Sequence, residues 1–219
     1  MQHSSFLARM IDRLTGCQEN TGIRYWQRRA KQFGPLSVLN LGHRADDIAV
    51  VTAQQKAAIL PFFRQALNGR EAVLLDFGCG PGRFTSDLAS IIDGKAIGVD
   101  PISDYLKWAP KAPNVDYCLM KVGRIPLPSD SVDIVWVCLV LGGLNDSLLK
   151  ETSSEILRVL RRDGLLFLVE NTSEHPSVPH WTCRQFNEYQ DQFHDTTLVH
   201  LTDYFDLGER ISIMAGRKS

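Results

Sequence analysis

The chain of 219 residues has few cysteines, and their positions fit no disulfide or metal-binding pattern. The five are odd in number and widely separated, and no two stand in C-x-x-C spacing. A disulfide framework and a zinc site therefore gain no support, whereas reduced thiols packed as small core residues fit this usage. The positions are Cys17, Cys79, Cys118, Cys138 and Cys183.

Long hydrophobic runs are also lacking. The longest, Ile134–Leu144, has eleven residues, whereas a transmembrane helix needs about 20. The first ten residues show neither the uninterrupted apolar region nor the small-residue cleavage site of a signal peptide. We therefore expect a cytoplasmic protein without a membrane partner.

An excess of charge of one sign is missing as well. Lys and Arg number 24 and Asp and Glu 25, which gives a net charge of −1. This balance disfavours nucleic acid as a partner. With 44% hydrophobic residues, the composition is that of a globular domain and excludes a disordered chain.

From residue 72 onward, short apolar runs alternate with amphipathic stretches, a pattern typical of a parallel sheet covered by helices. We expect helices over 83–92, 148–160 and 184–194, with Arg158, Arg161 and Arg162 in the last turn of the second, and we expect Pro61 to interrupt or start a helix. A closing antiparallel strand pair would form an edge of the sheet. The predicted strands cover 72–77, 95–100, 115–120, 133–138, 165–170, 196–203 and 210–216.

The most informative segment joins the first strand to the helix after it, and it reads D-F-G-C-G-P-G-R over 76–83. Glycines in such a turn let a ligand approach the backbone, and the N–H groups of the helix terminus favour an anion. The glycines do not match G-x-G-x-x-G, because Arg83 takes the third required position, and no Gly-Lys-Ser or Gly-Lys-Thr follows. Dinucleotide and P-loop chemistry are therefore disfavoured.

This segment resembles motif I of the class I methyltransferases that use S-adenosylmethionine. The resemblance implies that Asp76 contacts the amino end of the methionine moiety, and that Gly78, Gly80 and Gly82 make room for it. It also implies that Arg83 grips the methionine carboxylate, a role that suits the paired donors of a guanidinium; a solvated side chain is the alternative.

Further cofactor contacts are implied at the ends of the next strands. Asp100, followed by Pro101 and Ile102, ends the second strand, where an acid can accept hydrogen bonds from both ribose hydroxyls. Many relatives place an Asp beside the adenine amino group where this chain has Lys121, so the backbone of Val122 and Gly123 would replace that contact.

Cys138 and Leu139 end the fourth strand and should lie over the cofactor, because open α/β sheets bind ligands at that edge. A packed core thiol is the alternative for Cys138. Trp26, with its neighbour Tyr25, would belong to a lid over the cofactor or simply pack.

Candidates for a base are polar residues near the ends of the fourth and fifth strands, since a hydroxyl or a protonated amine must lose a proton before methylation. Glu170 and Asn171 are the first choice, with His175 and His180 in the following loop and His43 in the N-terminal region as further candidates. Each could instead be an ordinary loop residue. The two loop histidines lack matching carboxylates and make a poor metal site.

The resemblance and the strand–helix pattern lead us to expect a Rossmann-like class I methyltransferase fold. It would have a mostly parallel seven-stranded sheet, an antiparallel edge strand and helices on both faces. We expect one domain over 1–219. It comprises a helical N-terminal lid or cap over 1–70, a cofactor-binding core over 71–172, and a substrate-side loop with C-terminal strands over 173–219. The resemblance is good only over about 70–172, so the flanks would hold the acceptor.

The expected function is methyl transfer from S-adenosylmethionine, with S-adenosylhomocysteine as product, to an oxygen or nitrogen of a small-molecule or peptide-like acceptor. A layout-level resemblance to protein N-terminal α-amine methyltransferases would give Asn171 the role of binding the amine. Against it, Pro179-His180 stands where that family has an acid, and Gly143 where it has a histidine. A non-catalytic protein that binds the cofactor is the remaining alternative.

Overall fold

The computed structural model describes residues 22–40, 42–43 and 47–219. The expected helical region over 1–70 therefore falls partly outside the described residues, as does Cys17. The strands between residues 73 and 217 form one mixed sheet with helices on both of its faces.

Seven strands build the sheet in the order β3-β2-β1-β4-β5-β7-β6. The first five strands pair in parallel, whereas β7 runs antiparallel to both β5 and β6. The antiparallel strand is thus inserted beside β5, and β6 forms the edge. The strands are β1 (Val73–Phe77), β2 (Lys95–Asp100), β3 (Val115–Leu119), β4 (Val132–Cys138), β5 (Leu160–Asn171), β6 (Val199–Asp206) and β7 (Glu209–Arg217).

Side chains cap the first turn of two of the described α-helices. Asn145, for example, caps a helix by accepting a 3.0 Å hydrogen bond from the N–H of Leu148. Short 3₁₀ turns cover Gly34–Val38 and Leu141–Gly143. The α-helices are α1 (Ile23–Phe33), α2 (Ile48–Ala66), α3 (Thr85–Ile91), α4 (Ser103–Trp108), α5 (Asp146–Val159) and α6 (Phe186–Gln192).

The core lies on both faces of the sheet, which explains why its central strand reads as one apolar run. In β4, Ile134 and Trp136 pack against one face while Val135 and Val137 pack against the other, and all four are fully buried. A strand covered on both sides has no polar alternation. Trp136 stacks on Phe167 of the neighbouring strand, with ring centroids 5.0 Å apart.

Two sequence expectations are corrected. Pro61 lies inside α2 and neither starts nor interrupts it; the helix continues because Ile59 and Phe63, on either side of the proline, are both fully buried against the sheet. The second helix ends at Val159, so Arg161 and Arg162 belong to the start of β5. Among the described residues, no helix is long and apolar enough for a bilayer.

Candidate functional site

The glycine-rich turn after β1 is held against β2. The N–H groups of Gly78 and Cys79 both donate to the carbonyl of Val99, at 2.8 and 3.1 Å. Gly78 has φ +69°, and a Cβ at this position would stand 2.5 Å from Val140 Cγ2. Only glycine fits both this conformation and the close approach of the loop after β4.

Asp76, at the end of β1, places a buried carboxylate at the base of the turn. Its Oδ2 accepts a hydrogen bond of 2.7 Å from Thr85 Oγ1, and the residue is 4% exposed. Burial raises the pKa of Asp76 to about 7, and the nearby charge of Asp100 raises it further, while the Thr85 bond and Arg83 oppose the shift. The positive charge near this carboxylate is therefore too small to offset the effect of its burial.

Asp100, at the end of β2, is the second buried acid. Its two oxygens accept from the N–H groups of Gly80 (3.0 Å) and Ile102 (2.8 Å). Burial raises the pKa of Asp100 to about 6, although these two bonds lower it. Asp100 thus ties the glycine turn to the segment after β2 and keeps further lone pairs for a ligand.

Arg83 is the cation of this region. Its Nη1 donates to Thr52 Oγ1 and Gln55 Oε1 of α2, both at 2.9 Å, and its guanidinium lies 5.2 Å from the centre of the Phe84 ring. Burial lowers the pKa of Arg83, but an arginine stays protonated. The alternative of a solvated Arg83 side chain is therefore excluded. The contacts with α2 hold its positive charge in place.

These groups line one cleft along the carboxyl edge of the parallel strands. Twelve of the thirteen residues predicted to bind the cofactor line this cleft: Trp26, Asp76, Gly78, Gly80, Arg83, Asp100, Pro101, Ile102, Val122, Gly123, Cys138 and Leu139. Gly82 is the exception, because a Cβ there would point at Tyr117 Oη, 2.5 Å away. Its requirement for glycine is explained by packing against β3.

Sequence reasoning missed most of the apolar lining. Ile23 and Val38 come from the N-terminal segment, and Tyr105 comes from α4, three residues after Ile102. The helical spacing of Ile102 and Tyr105 could have indicated a shared face. Leu144 and Leu148 also line the cleft.

The end of β4 carries local strain beside the cleft. Leu139 has φ +57°, a conformation rare for a residue other than glycine, and its N–H donates 2.8 Å to the carbonyl of Val169. Burial raises the pKa of the neighbouring Cys138 thiol, so this group is neutral. Cys138 is therefore an apolar part of the wall.

Glu170 is not placed to act as the base. Its side chain is fully buried, and its carboxylate accepts from the N–H groups of Val140 and Leu141 (both 2.8 Å) and Gly142 (3.4 Å). It does not line the cleft. The position corrects the expectation from sequence, because Glu170 anchors the loop after β4 and its oxygens face backbone donors.

Asn171 and His175 are likewise engaged away from the cleft. Asn171 Nδ2 donates to Glu209 Oε2 (3.1 Å), and its Oδ1 accepts from the N–H of Ser173 (2.9 Å). His175 Nε2 lies 2.6 Å from the same Glu209 oxygen, and Cys183 Sγ lies 3.5 Å from His175 Nδ1. These contacts hold the loop after β5 to the start of β7.

Aromatic residues connect that loop to the N-terminal helix. His180 stacks on Tyr25 with ring centroids 4.0 Å apart, and Trp181 packs edge-on against Trp26 at 6.4 Å. Of these four, only Trp26 lines the cleft. Tyr25 and Trp181 pack against Trp26, and His180 packs against Tyr25. The stacked position of His180 does not favour a role as base.

Replacing Gly142 with alanine should disturb the packing of Trp181, because a Cβ at this position would stand 2.2 Å from Trp181 Cε2. We expect Gly142→Ala to lower the free energy of unfolding by roughly 1–3 kcal/mol, the usual cost of overpacking. Thermal melts followed by tryptophan fluorescence would measure it. Gly143→Ala is the matched control, since its Cβ would approach the Trp26 ring no closer than 3.0 Å, at Nε1; equal melting temperatures for the two variants would contradict the close packing.

His43 forms a partly buried pair that the sequence did not reveal. Its Nε2 lies 2.7 Å from Asp206 Oδ1 at the end of β6, and the two side chains are 11% and 14% exposed. Tyr204, two residues earlier on β6, is packed into the same core cluster as Cys138 and Leu139. The alternation of Thr202, Tyr204 and Asp206 could have indicated one inward-facing side of this strand.

The cleft suits S-adenosylmethionine by charge. Two buried carboxylates stand close enough for the charge of Asp100 to raise the pKa of Asp76, and burying such charges unpaired is unfavourable. An ammonium group near Asp76 and a ribose diol near Asp100 would supply the missing positive charge and donors. The apolar lining from Ile102, Val122 and Leu148 suits a purine ring.

Comparison with known proteins agrees with this fit. A family model described as "Methyltransferase domain" matches residues 75–168. The ubiquinone/menaquinone biosynthesis C-methyltransferase UbiE of Campylobacter jejuni is 29% identical over 128 residues, covering 53% of this chain and 52% of that protein. The chain spans about a third to a half of the length of the first curated relatives it matches.

Solved structures share the fold at low identity. The YcgJ protein of Bacillus subtilis superposes with a TM-score of 0.63 at 17% identity, covering 73% of this chain and 97% of its own. The geranyl diphosphate C-methyltransferase of Streptomyces coelicolor gives 0.63 at 14% identity, covering 82% and 86%.

The sheet order and the glycine-turn site define an α/β domain of the class I methyltransferase fold. Residues 75–168 match the family model of a methyltransferase domain, and the solved structure of a SAM-dependent methyltransferase from Aquifex aeolicus shares the fold. S-adenosylmethionine is the cofactor of this class.

Proposed function

We propose that the chain is an enzyme that transfers a methyl group from S-adenosylmethionine to an oxygen or nitrogen of a small-molecule or peptide-like acceptor. The observation that carries this proposal is the pair Asp76 and Asp100, two buried carboxylates at the ends of adjacent strands in one cleft. A ligand with a cation near Asp76 and a diol near Asp100 would supply partners for both carboxylates.

The residues divide by position along the cleft. Asp76 and Arg83 would hold the ammonium and carboxylate of the methionine end, and Asp100 the ribose hydroxyls. The backbone near Val122 and Gly123 would contact the adenine. Trp26 would close the cleft as part of a lid formed by the N-terminal region.

When bound, S-adenosylmethionine supplies a methyl group on a positively charged sulfur. The contribution of the chain is to hold that group in line with the acceptor atom, which can supply much of the rate enhancement. The apolar wall formed by Cys138 and Leu139 would exclude water from the reacting atoms.

Binding of S-adenosylmethionine and S-adenosylhomocysteine, measured by isothermal titration calorimetry, tests the proposal directly. We expect both to bind the wild-type chain. Asp100→Ala should weaken both by roughly 10- to 100-fold, because hydrogen bonds to a charged group contribute about 1.5–3 kcal/mol.

Asp116→Ala is the matched control, since Asp116 is an exposed residue on the neighbouring strand β3 and pairs with Lys95 at 2.7 Å. Absence of binding by the wild-type chain would refute the proposal. Equal affinities of Asp100→Ala and Asp116→Ala would remove the ribose assignment.

The two alternatives differ in their products. Methylation of a protein α-amine would need Asn171 at the acceptor, whereas its amide is bonded to Glu209 and Ser173, which disfavours that role. A non-catalytic binding protein would bind S-adenosylmethionine without forming labelled product. The cytoplasmic location and the single-domain organisation over 1–219 stay predictions.

A further inference from the structure

We propose that Cys183 is a modification site, at which a small-molecule disulfide exchanges with a thiol that His175 activates and Glu209 orients. Two of the three side chains belong to the loop after β5 and the third to the start of β7, and none of them lines the cofactor cleft. The inference is therefore independent of the proposed function.

The three side chains form a chain of polar contacts. Cys183 Sγ lies 3.5 Å from His175 Nδ1, within reach of a sulfur donor, and His175 Nε2 lies 2.6 Å from Glu209 Oε2. An ionised carboxylate can only accept, so Nε2 carries the ring hydrogen and Nδ1 is free to take the thiol proton. A nucleophile, a base and a group that orients the base follow one another in the same order in cysteine enzymes.

Glu209 is kept charged by its neighbours. Asn171 Nδ2 donates to the same Oε2 at 3.1 Å. Burial opposes ionisation, but the hydrogen bonds from His175 and Asn171 leave the pKa of Glu209 below its ordinary value. The bond to Glu209 in turn raises the pKa of His175, against a smaller effect of desolvation. His175 is therefore a stronger base than a free histidine.

The reactivity of the thiol depends on this base. Partial burial raises the pKa of Cys183, and the charge of Glu209 raises it further, so without a base the side chain is a neutral thiol at pH 7. The thiolate is the nucleophile in disulfide exchange. Transfer of the proton to His175 places an imidazolium between the thiolate and the carboxylate, where its positive charge stabilises both.

The turn that carries the thiol holds it beside the histidine. The N–H of Cys183 donates 3.0 Å to Ser177 Oγ, and Val178 and Trp181 exchange two backbone hydrogen bonds of 2.9 and 3.0 Å. The side chain of His175 is 43% exposed and Cys183 is half-buried. A small molecule can therefore reach the site from solvent.

The exchange needs no further oxidant or reductant. His175 Nδ1 takes the proton from Cys183 Sγ, and the thiolate attacks one sulfur of the disulfide. The new S–S bond forms as the old one breaks, and the electron pair leaves on the second sulfur, which takes the proton back from His175. One thiol and one disulfide thus become a mixed disulfide and a small thiol. The charged neighbours of His175 and Glu209 in the chain, Glu174 and Arg210, pair with each other at 3.5 Å.

The test is the rate at which the full chain reacts with dipyridyl disulfide, followed by the released pyridinethione, with each modified cysteine identified by peptide mass spectrometry. At pH 7 we expect Cys183 to react ahead of Cys118, which is more exposed but forms no side-chain hydrogen bond with a described residue. His175→Ala should slow the reaction at Cys183 by roughly 10- to 30-fold, because a thiol of pKa about 8.5 is only about 3% thiolate at pH 7. The two rates should converge towards about pH 10, where the thiol ionises without a base.

His200→Ala is the matched control, because His200 pairs with Asp203 at 2.7 Å and forms no hydrogen bond with Cys183; it should leave the rate unchanged. Faster reaction of Cys118 than of Cys183 at pH 7, or equal rates for His175→Ala and His200→Ala, would overturn the inference. A His175→Ala rate that is lower by the same factor at both ends of the pH range would also overturn it, because altered packing, unlike the loss of a base, does not depend on pH.

Glu209 is a positioning residue, and its role has a separate spectroscopic readout. Glu209→Gln should shift the NMR titration of the His175 ring to lower pH, because the carboxylate raises the pKa of His175. The signal that disappears in His175→Ala identifies this ring. An unchanged titration in Glu209→Gln would show that the carboxylate does not act on the base, and would overturn the arrangement of the three groups.

Discussion

Asp76→Asn should lose S-adenosylmethionine binding and yet make the free protein more stable at pH 8. The loss follows because an amide cannot pair with an ammonium group; we expect roughly 10- to 200-fold weaker binding, from a charged hydrogen bond of about 1.5–3 kcal/mol. The gain follows because burial raises the pKa of Asp76 to about 7. At pH 8 the native state must hold an unfavourable buried charge that asparagine lacks.

The sign of the pH dependence is set by the native pKa. Since this pKa lies above the ordinary 3.8 of the unfolded chain, the native state binds more protons between about pH 4 and 7. The free energy of unfolding therefore falls as pH rises through that window. We expect the melting temperature of Asp76→Asn at pH 8 to exceed that of the wild type by several degrees, on the order of 1–3 kcal/mol, and the difference to shrink towards pH 5.

Asp133→Asn is the matched control for the two effects expected of Asp76→Asn, which are weaker cofactor binding and higher stability at pH 8. Asp133 lies at the other end of β4, accepts from the N–H groups of Ala72 and Val73, and pairs with Arg161 at 2.5 Å. Its replacement should lower stability and leave cofactor binding unchanged. If Asp76→Asn melted below the wild type at pH 8 and bound S-adenosylmethionine equally well, the charge-based description of the cleft would be wrong.

The fold was predictable where one physical signal dominated. The strands β1, β2 and β4 are short apolar runs between polar turns, and their predicted bounds differ from the structure by a residue at most. The prediction was wrong at Pro61 and at Arg161–Arg162, where the burial of Phe63 and the pairing of β5 override the local preference of a single residue.

The site was predictable only on its cofactor side. Asp76 and Asp100 follow strands directly, so sequence position fixes their place at the sheet edge. The contact between His43 and Asp206 joins residues that lie far apart in the chain, and no local spacing records it. Glu170 was misassigned for a related reason: the N–H groups that occupy its carboxylate come from a loop thirty residues earlier.

Glu170→Gln should unfold at lower temperature, because Glu170 holds the loop after β4 by three backbone donors. Glutamine offers one oxygen, and its Nε2 would point a donor at the N–H groups that now face the carboxylate. Leaving a buried donor unpaired costs about 1–3 kcal/mol, which corresponds to a fall in melting temperature of roughly 2–10 °C for a chain of this size. Thermal melts at pH 8 would measure it.

The pH dependence separates this anchoring role from a role as base. Burial raises the pKa of Glu170 to about 7, against the opposing effect of the three N–H donors. Because this native pKa lies above the ordinary 4.5, the native state binds more protons than the unfolded chain between about pH 4.5 and 7. The wild type therefore gains stability as the pH falls through that window, whereas glutamine does not titrate, so the difference between variant and wild type should grow as the pH falls. A base would show the opposite pattern, with unchanged melting and abolished transfer.

Cofactor binding should also change in Glu170→Gln, because Val140 connects Glu170 to the glycine turn. This residue carries one of the N–H groups bonded to Glu170, and its side chain stands against Gly78 of the glycine turn. Release of the loop in Glu170→Gln should therefore weaken S-adenosylmethionine binding along with stability. Glu209→Gln is the matched control on the neighbouring strand: it changes the partner of Asn171 and His175 and touches neither the loop after β4 nor the glycine turn, so its cofactor affinity should stay near that of the wild type. A Glu170→Gln variant that behaved like Glu209→Gln would show that the buried carboxylate does not hold this wall of the cleft.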